Sequence, residues 1–291
     1  MAGQESCGDE EVEVIGLLST NLYRRLLYCD LTDDMAAQKV ALITAGTAGL
    51  GAQIARVLAP DFRLAINYAN NTARANTLLE ELHGIPNTTS SPTTQQQAPR
   101  FTLLRGDVGD RPSVQKLIAD TLTTFGRLDV VISNAGWTRV TNFGNLDEGM
   151  LDADWDRCFL YNVKAHLWLM HAAKPHLEAS EGAFVTTASI AGVKPSGSSL
   201  PYSVTKAATI HLTKALAVIC SPKVRVNSVS PGLLLTDWGL SFGEQKIEAA
   251  TQATKLKRLA TVEDVADQVR VFATTRSITG QNAVIDAGTS L

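Results

Sequence analysis

A doubly wound α/β fold, one parallel sheet with helices on both faces, is what this sequence predicts. Three observations carry it. Short, nearly continuous apolar runs alternate with longer segments of helical spacing. A cluster of glycines, Gly46, Gly49 and Gly51, falls between the first apolar run and the first helical segment. The chain has 291 residues, 45% of them hydrophobic, enough to build one large core without a disulfide or metal staple.

The elements follow in order. Lys39–Thr44 reads as the first strand, and Gln53–Leu58 has helical spacing. Arg63–Tyr68 is a second strand, followed by a helix near Thr72–Leu82. Phe101–Leu104 and a helix near Pro112–Phe125 come next, then Leu128–Ser133 and a long helix within Asp152–Leu177. Ala183–Thr187 precedes a helix from about Tyr202 to Val218. Val224–Val229, a helix near Val262–Phe272 and a last strand at Asn282–Ile285 complete the pattern. Strands that are apolar throughout are those of a parallel sheet buried on both faces, and right-handed crossovers then wind the chain both ways.

Two stretches stand outside the pattern. Gly84–Pro99 is rich in Thr, Ser, Gln and Pro and has no periodicity, which predicts a mobile inserted loop. Residues 1–34 read as a leader to a domain spanning 35–291, because Met35 could itself begin such a domain; packing of Val14–Leu31 as an extra helix is the alternative.

Composition excludes several classes. A net charge of −3 leaves no electrostatic footprint for nucleic acid. No run of 18 apolar residues is present to span a membrane. The four cysteines are scattered without a C-x-x-C, and the five histidines form no metal-ligand set. Residues 1–13 carry five acids and no base, unlike a mitochondrial or secretory signal. A cytoplasmic protein is expected.

The glycine loop points to a ligand. Gly46, Gly49 and Gly51 lack a Cβ, so backbone N–H groups can approach a pyrophosphate, and the next helix adds its N-terminal dipole. Gly46–Gly51, Asp107, Asn134–Gly136, Ser189 and Pro231–Gly232 all fall at the carboxyl ends of predicted strands, the edge where open α/β sheets bind ligands. This is the dinucleotide-binding Rossmann arrangement.

At these residues the chain resembles the short-chain dehydrogenase/reductase family, from about Lys39 to Leu291. Thr44–Gly51 is similar to the family's T-G-x-x-x-G-x-G, with Ala45 where the family has its first glycine. Gly106-Asp107-Val108, Asn134-Ala135-Gly136 and Pro231-Gly232-x-x-x-Thr236 match further motifs, and Asp286-Ala287-Gly288 departs from D-G-G at its centre. The resemblance implies that Gly46, Gly49, Leu50, Gly51, Asp107, Val108, Asn134, Pro231, Gly232, Leu234 and Thr236 hold a dinucleotide. Ser189, Tyr202 and Lys206 match S-x12-Y-x-x-x-K, and Asn162 matches the asparagine of the family's catalytic tetrad, which helps to hold a relay water. A homo-oligomer, tetramer or dimer, is also implied.

Tyr202 and Lys206, four residues apart, share a helix face. A free tyrosine has a pKa of about 10, and a cation within about 4–6 Å favours its phenolate. Ser189 can hydrogen-bond a substrate oxygen. The expected chemistry is hydride transfer between a nicotinamide and a ketone or secondary alcohol, with Tyr202 giving or taking the proton and Lys206 also binding the ribose. A dehydratase or epimerase on the same fold, and a weakly catalytic dinucleotide-sensing regulator, are the rival readings.

For the cofactor, Asn67–Asn71 at the end of the second strand carries no acid, and an acid there would favour NAD. The segment looks like the Asn-Tyr-Ala-Asn of fungal NADPH-dependent ketone reductases, enzymes of secondary metabolism, so NADP is expected at Tyr68 and Asn70, with NAD the alternative. No arginine follows the strand directly, which predicts a modest preference. Trp137, Thr138, Val193–Ser196 and Leu234–Phe242 should face a medium-sized carbonyl or alcohol substrate, aromatic or cyclic.

Overall fold

A computed structural model describes residues 38–88 and 99–291. The leader reading of residues 1–34 lies outside the described residues, as does most of the predicted loop at 84–99. Within the unit Lys39–Leu291, seven strands form one parallel sheet: β1 (Val40–Ile43), β2 (Arg63–Tyr68), β3 (Phe101–Arg105), β4 (Val130–Ser133), β5 (Ala183–Thr187), β6 (Arg225–Pro231) and β7 (Asn282–Ile285). Their spatial order is β3-β2-β1-β4-β5-β6-β7, all neighbours parallel. The doubly wound fold expected from the sequence is the fold found.

Alternation along each strand divides the core into two layers. Ala41, Ile43, Val130, Ile132 and Val185 face α1 (Gly49–Leu58) and α9 (Val262–Thr274), where Ile54, Leu58, Val269 and Phe272 meet them. Val40, Leu42, Val131 and Phe184 face the other way, towards Leu117 of α3 (Arg111–Phe125), Leu169 and Met170 of α5 (Ala165–Ala179), and Leu216 of α6 (Leu200–Cys220). Among the described residues no helix is long and apolar enough to cross a membrane.

The helix starts are set by side chains. Asp110 accepts the Ser113 N–H at the head of α3, and Gly126 closes that helix in the left-handed region (φ 77°). Thr261 and Asp264 form a reciprocal capping box on α9. Ser199 caps α6 by accepting the Tyr202 N–H at 3.3 Å, with Pro201 in the first turn. That cap fixes the catalytic candidates Tyr202 and Lys206 in the first two turns of α6.

Three differences from the sequence pattern bear on function. The helix read across Asp152–Leu177 is α4 (Asp152–Phe159) and α5 joined by a π turn at Leu160–Lys164, which contains Asn162. Between β6 and α9 lie two helices that the pattern does not show, α7 (Asp237–Leu240) and α8 (Glu244–Ala253). No residue of α8 is fully buried, so its apolar stripe is weak. Helix α1 begins inside the glycine cluster, four residues before the periodic segment.

Asn67 has a structural task. It is 2% exposed; its Oδ1 accepts the Ala45 N–H (3.2 Å), and its Nδ2 donates to the carbonyls of Leu104 (3.1 Å) and Gly106 (2.9 Å). One side chain thus ties the glycine loop to the ends of β2 and β3. Asn67→Ala should lower stability by about 2 kcal/mol or more, because buried backbone groups lose their partners. Urea unfolding measures this, and a loss below about 0.5 kcal/mol would contradict it.

Candidate active site

The sheet reverses its winding between β1 and β4, and a cleft of about 640 Å³ opens at that carboxyl edge. Thr44, just past β1, accepts the backbone N–H groups of Asn134 (2.9 Å) and Ala135 (3.3 Å), which joins the glycine loop to the loop after β4. Asn134 then accepts the Thr187 hydroxyl (3.0 Å) at the end of β5. Three strand ends are locked together before any ligand is considered.

Ala45 takes a left-handed conformation (φ 48°), the region that favours glycine. For a non-glycine residue this costs about 1–2 kcal/mol. Gly51 has no such freedom to lose: a Cβ there would lie 2.2 Å from the Ala45 carbonyl oxygen and 2.8 Å from Asn134 Nδ2. At the head of α1, Ala48 supplies no side-chain cap and the first turn carries no acid. The helix therefore presents backbone donors and an uncompensated positive dipole at the cleft, which fits the pyrophosphate of a dinucleotide.

Of the residues expected to bind the dinucleotide, Gly49, Leu50, Asn134, Pro231, Gly232, Leu234 and Thr236 line this cleft together with Ser189, Tyr202 and Lys206. Gly46 and Gly51 pack behind the loop. Asp107 lies past β3, where it accepts the Gly109 N–H (2.8 Å) and the Tyr161 hydroxyl (3.0 Å). Val108 is buried beside it, and Tyr68 and Asn70 stand at the end of β2. Trp137, expected to face the substrate, is not among the residues lining this cleft and packs against Cys158, Ala191 and Tyr202. Arg74, Lys246 and Ala250 line the cleft without having been read from the sequence. Lys246 and Ala250 are four apart on α8, and the spacing is visible only once that helix is known.

The catalytic candidates converge. Lys206 is 2% exposed, and its Nζ donates to the Thr187 carbonyl at 2.7 Å. That Nζ lies 5.5 Å from the centre of the Tyr202 ring. Trp238 of α7 stacks edge-on against the same ring, centroids 5.6 Å apart. Asn162 is fully buried. Its Oδ1 accepts the Trp137 N–H (2.8 Å), and its Nδ2 donates to the Trp137 carbonyl (2.9 Å) and to Thr205 Oγ1 (3.0 Å). Its own carbonyl accepts the Thr209 hydroxyl.

The electrostatics modify the simplest sequence argument. Burial pushes the Tyr202 phenol well above its ordinary value, while the Ser189 hydroxyl pulls it down by hydrogen bonding. Burial also lowers Lys206 to about 8, with Cys158 acting the other way. Desolvation outweighs the help to a phenolate expected from the sequence, so burial favours the neutral phenol of Tyr202.

Behind the site, His166 is buried with its Nδ1 on the Ser133 hydroxyl, and its Nε2 has no hydrogen-bond partner. Burial first, then the charge of Lys206, lowers its pKa to about 3. Among the described residues no group of His, Cys, Asp and Glu could hold a metal.

The comparisons agree with this geometry. Residues 44–290 match the family model described as enoyl-(acyl carrier protein) reductase. The chain is 32% identical to tropinone reductase-like 3 of Erythroxylum coca over 86% of its own length and 93% of that protein. It is 29% identical to the 3-oxoacyl-(acyl-carrier-protein) reductase of Staphylococcus aureus over 87% and 99%. A short-chain dehydrogenase from Burkholderia cenocepacia, solved in complex with NADP, superposes with a TM-score of 0.76 at 30% identity, covering 88% of this chain and 99% of that one. The chain belongs to the short-chain dehydrogenase/reductase family. It is an NAD(P)-dependent oxidoreductase.

The His166 shift has a sign that can be tested. The unfolded chain takes up this proton near pH 6.5, and the folded chain only near 3. The group's contribution is therefore complete above about pH 6.5 and is lost as pH falls towards 3. His166→Asn removes the titration, so its stability should fall less steeply than wild type between pH 7 and 4 in urea unfolding. Parallel slopes would refute this.

Proposed function

We propose that the chain reduces a ketone to a secondary alcohol with NADPH, NADH being the weaker alternative. The observation that carries this is the meeting of Ser189, Tyr202 and Lys206 at the floor of the cleft that the glycine loop opens into. The glycine loop, Asn134 and Pro231–Thr236 would hold the dinucleotide, which would supply the hydride when bound. The Ser189 hydroxyl donates to the carbonyl oxygen and polarises it. As the carbonyl carbon gains the hydride, Tyr202 gives its phenolic proton to that oxygen, and the alcohol forms. Lys206, held by the Thr187 carbonyl, faces the phenolate left behind and binds the ribose. Asn162, whose amide is fully engaged by Trp137 and Thr205, acts as a positioning residue.

The substrate end is walled by Leu234, Trp238 and Phe242, and its rim carries Lys194 and Lys246. Apolar walls with few polar groups suit a cyclic or aromatic ketone. The relatives named for tropinone and 3-oxoacyl reduction support a carbonyl substrate. Cys158 and Cys220 are buried free thiols, which suits the cytoplasm. Exposed Leu167 on α5 and Val204, Val218 and Ile219 on α6 support self-association through these helices.

Tyr202→Phe should lower kcat by about 10²–10⁴-fold while NADPH affinity and melting temperature stay near wild type. Retention of half the activity on a ketone panel would remove Tyr202 from its role.

Cofactor preference is tested at the end of β2. Tyr68→Asp places a carboxylate where the 2′-phosphate is expected, and repulsion of about 1.4 kcal/mol is a factor of ten. The ratio of kcat/KM for NADPH over NADH should fall by at least that factor. A wild type that prefers NADH would overturn the assignment.

A further inference from the structure

The cleft is charged against the trend of the chain. The whole sequence carries −3, yet the described residues lining the cleft include four cations, Arg74, Lys194, Lys206 and Lys246, and one acid, Asp237. Two of the cations are accounted for. Lys206 belongs to the catalytic group. Arg74, on α2 (Thr72–His83), pairs with Asp237 of α7, Nη2 to Oδ2 at 2.9 Å. With Asp237 held in this way, Lys194 and Lys246 meet no free acid in the cleft lining.

Local structure places both lysines. Lys194 follows the single turn Ile190–Gly192, five residues past Ser189, and its Nζ donates to the Thr289 carbonyl at 2.9 Å. That bond holds the ammonium in place, and two of its three donors remain for a ligand. Lys246 is in the first turn of α8. A helix dipole disfavours a cation there, so helix stability does not account for it. The neighbours three and four residues away, where a helix pairs charges, are Phe242, Gly243, Ala249 and Ala250. By contrast, Lys116 and Lys174 meet Asp120 and Glu178 four residues on. Among the described residues no ion pair engages Lys246. Trp238, Phe242, Lys246 and Ala250 recur every four residues, and all line the cleft. One wall thus runs from the indole stacked on Tyr202, through a second aromatic ring, to an unpaired ammonium.

We infer that the ketone reduced here carries a carboxylate, set apart from its carbonyl by an apolar body, and that Lys194 and Lys246 bind that carboxylate. This rests on the ketone-reductase reading above and deepens it by naming the substrate class. Trp238 and Phe242 cover the apolar body, while Ser189 and Tyr202 take the carbonyl oxygen. A neutral ketone gains nothing from either ammonium. A keto acid exchanges water around its carboxylate for charge-assisted hydrogen bonds. Both lysines are exposed, so the attraction is open to screening by salt. Neither touches the reacting atoms, and both act as specificity-determining residues.

Matched pairs of substrates test this. Cyclic and aromatic ketones bearing a carboxylate are compared with their methyl esters, as kcat/KM with NADPH, for wild type, Lys194→Gln, Lys246→Gln and the double variant. Wild type should favour the acid over the ester at least tenfold at low ionic strength, and the ratio should shrink as salt is added. Each single variant should lower the ratio about threefold or more, through KM rather than kcat, and the double variant should bring it near one. Lys246→Arg should keep the preference. A wild type that favours the esters, or a double variant that keeps the acid preference, would overturn the inference. Equal losses on acid and ester would also overturn it, as would NADPH dissociation constants weakened by the same factor. Calorimetric titration of the same acids and esters into the NADP-loaded protein reads the preference without turnover. Acids that bind more tightly than esters but are not reduced would uphold the anion site and defeat the ketone-reductase reading alone. No difference in binding would defeat the anion site.

Discussion

The site depends on keeping an ammonium group out of water. Burying an isolated charge costs several kcal/mol even after relaxation. Lys206 is buried nonetheless, with the Thr187 carbonyl as its partner. A Cβ on Gly192 would stand 2.4 Å from the Lys206 carbonyl carbon. Gly192, three residues after Ser189, therefore lets the backbone of α6 pack closely against this turn. Thr187 holds the lysine with its carbonyl and Asn134 with its hydroxyl, so the Lys206 side and the Asn134 side of the cleft share one residue.

Most of the fold was legible because a buried parallel strand has no polar face to confuse the pattern. Arg63–Tyr68, Ala183–Thr187 and Asn282–Ile285 have the same limits in sequence and structure. The catalytic spacing of Tyr202 and Lys206 was legible because it is local to one helix. What escaped has a physical reason in each case. Helix α8 has no fully buried residue, so its apolar stripe is weak. The π turn at Leu160–Lys164 inserts within a continuous helical pattern. Arg74 meets Asp237 across the cleft, far apart in sequence, and no periodicity marks such a pair. Asn67 is in the segment read for cofactor choice, but its side chain faces inward and binds backbone.

The direction of the Tyr202 shift also lay beyond sequence. Spacing places a cation near the phenol but does not say how dry the site is. Desolvation and the neighbouring charge act in opposite directions, and here burial decides. The two ends of the cleft differ accordingly. The floor, with Tyr202, Lys206 and Asn162, is buried and hydrogen-bonded throughout. The mouth, with Arg74 and Asp237, is exposed.

The central claim is that Tyr202 protonates an oxygen while the adjoining carbon receives a hydride. Deuterium transfer tests it most directly. Ketones that the enzyme consumes are incubated with NADPH deuterated at C4 on one face or the other, and the alcohol is read by mass spectrometry and NMR. The account predicts one deuterium on the carbinol carbon for each NADPH oxidised, from one face only, with the hydroxyl proton drawn from solvent. Product without deuterium, or NADPH recovered unoxidised beside a dehydrated or epimerised product, would contradict it.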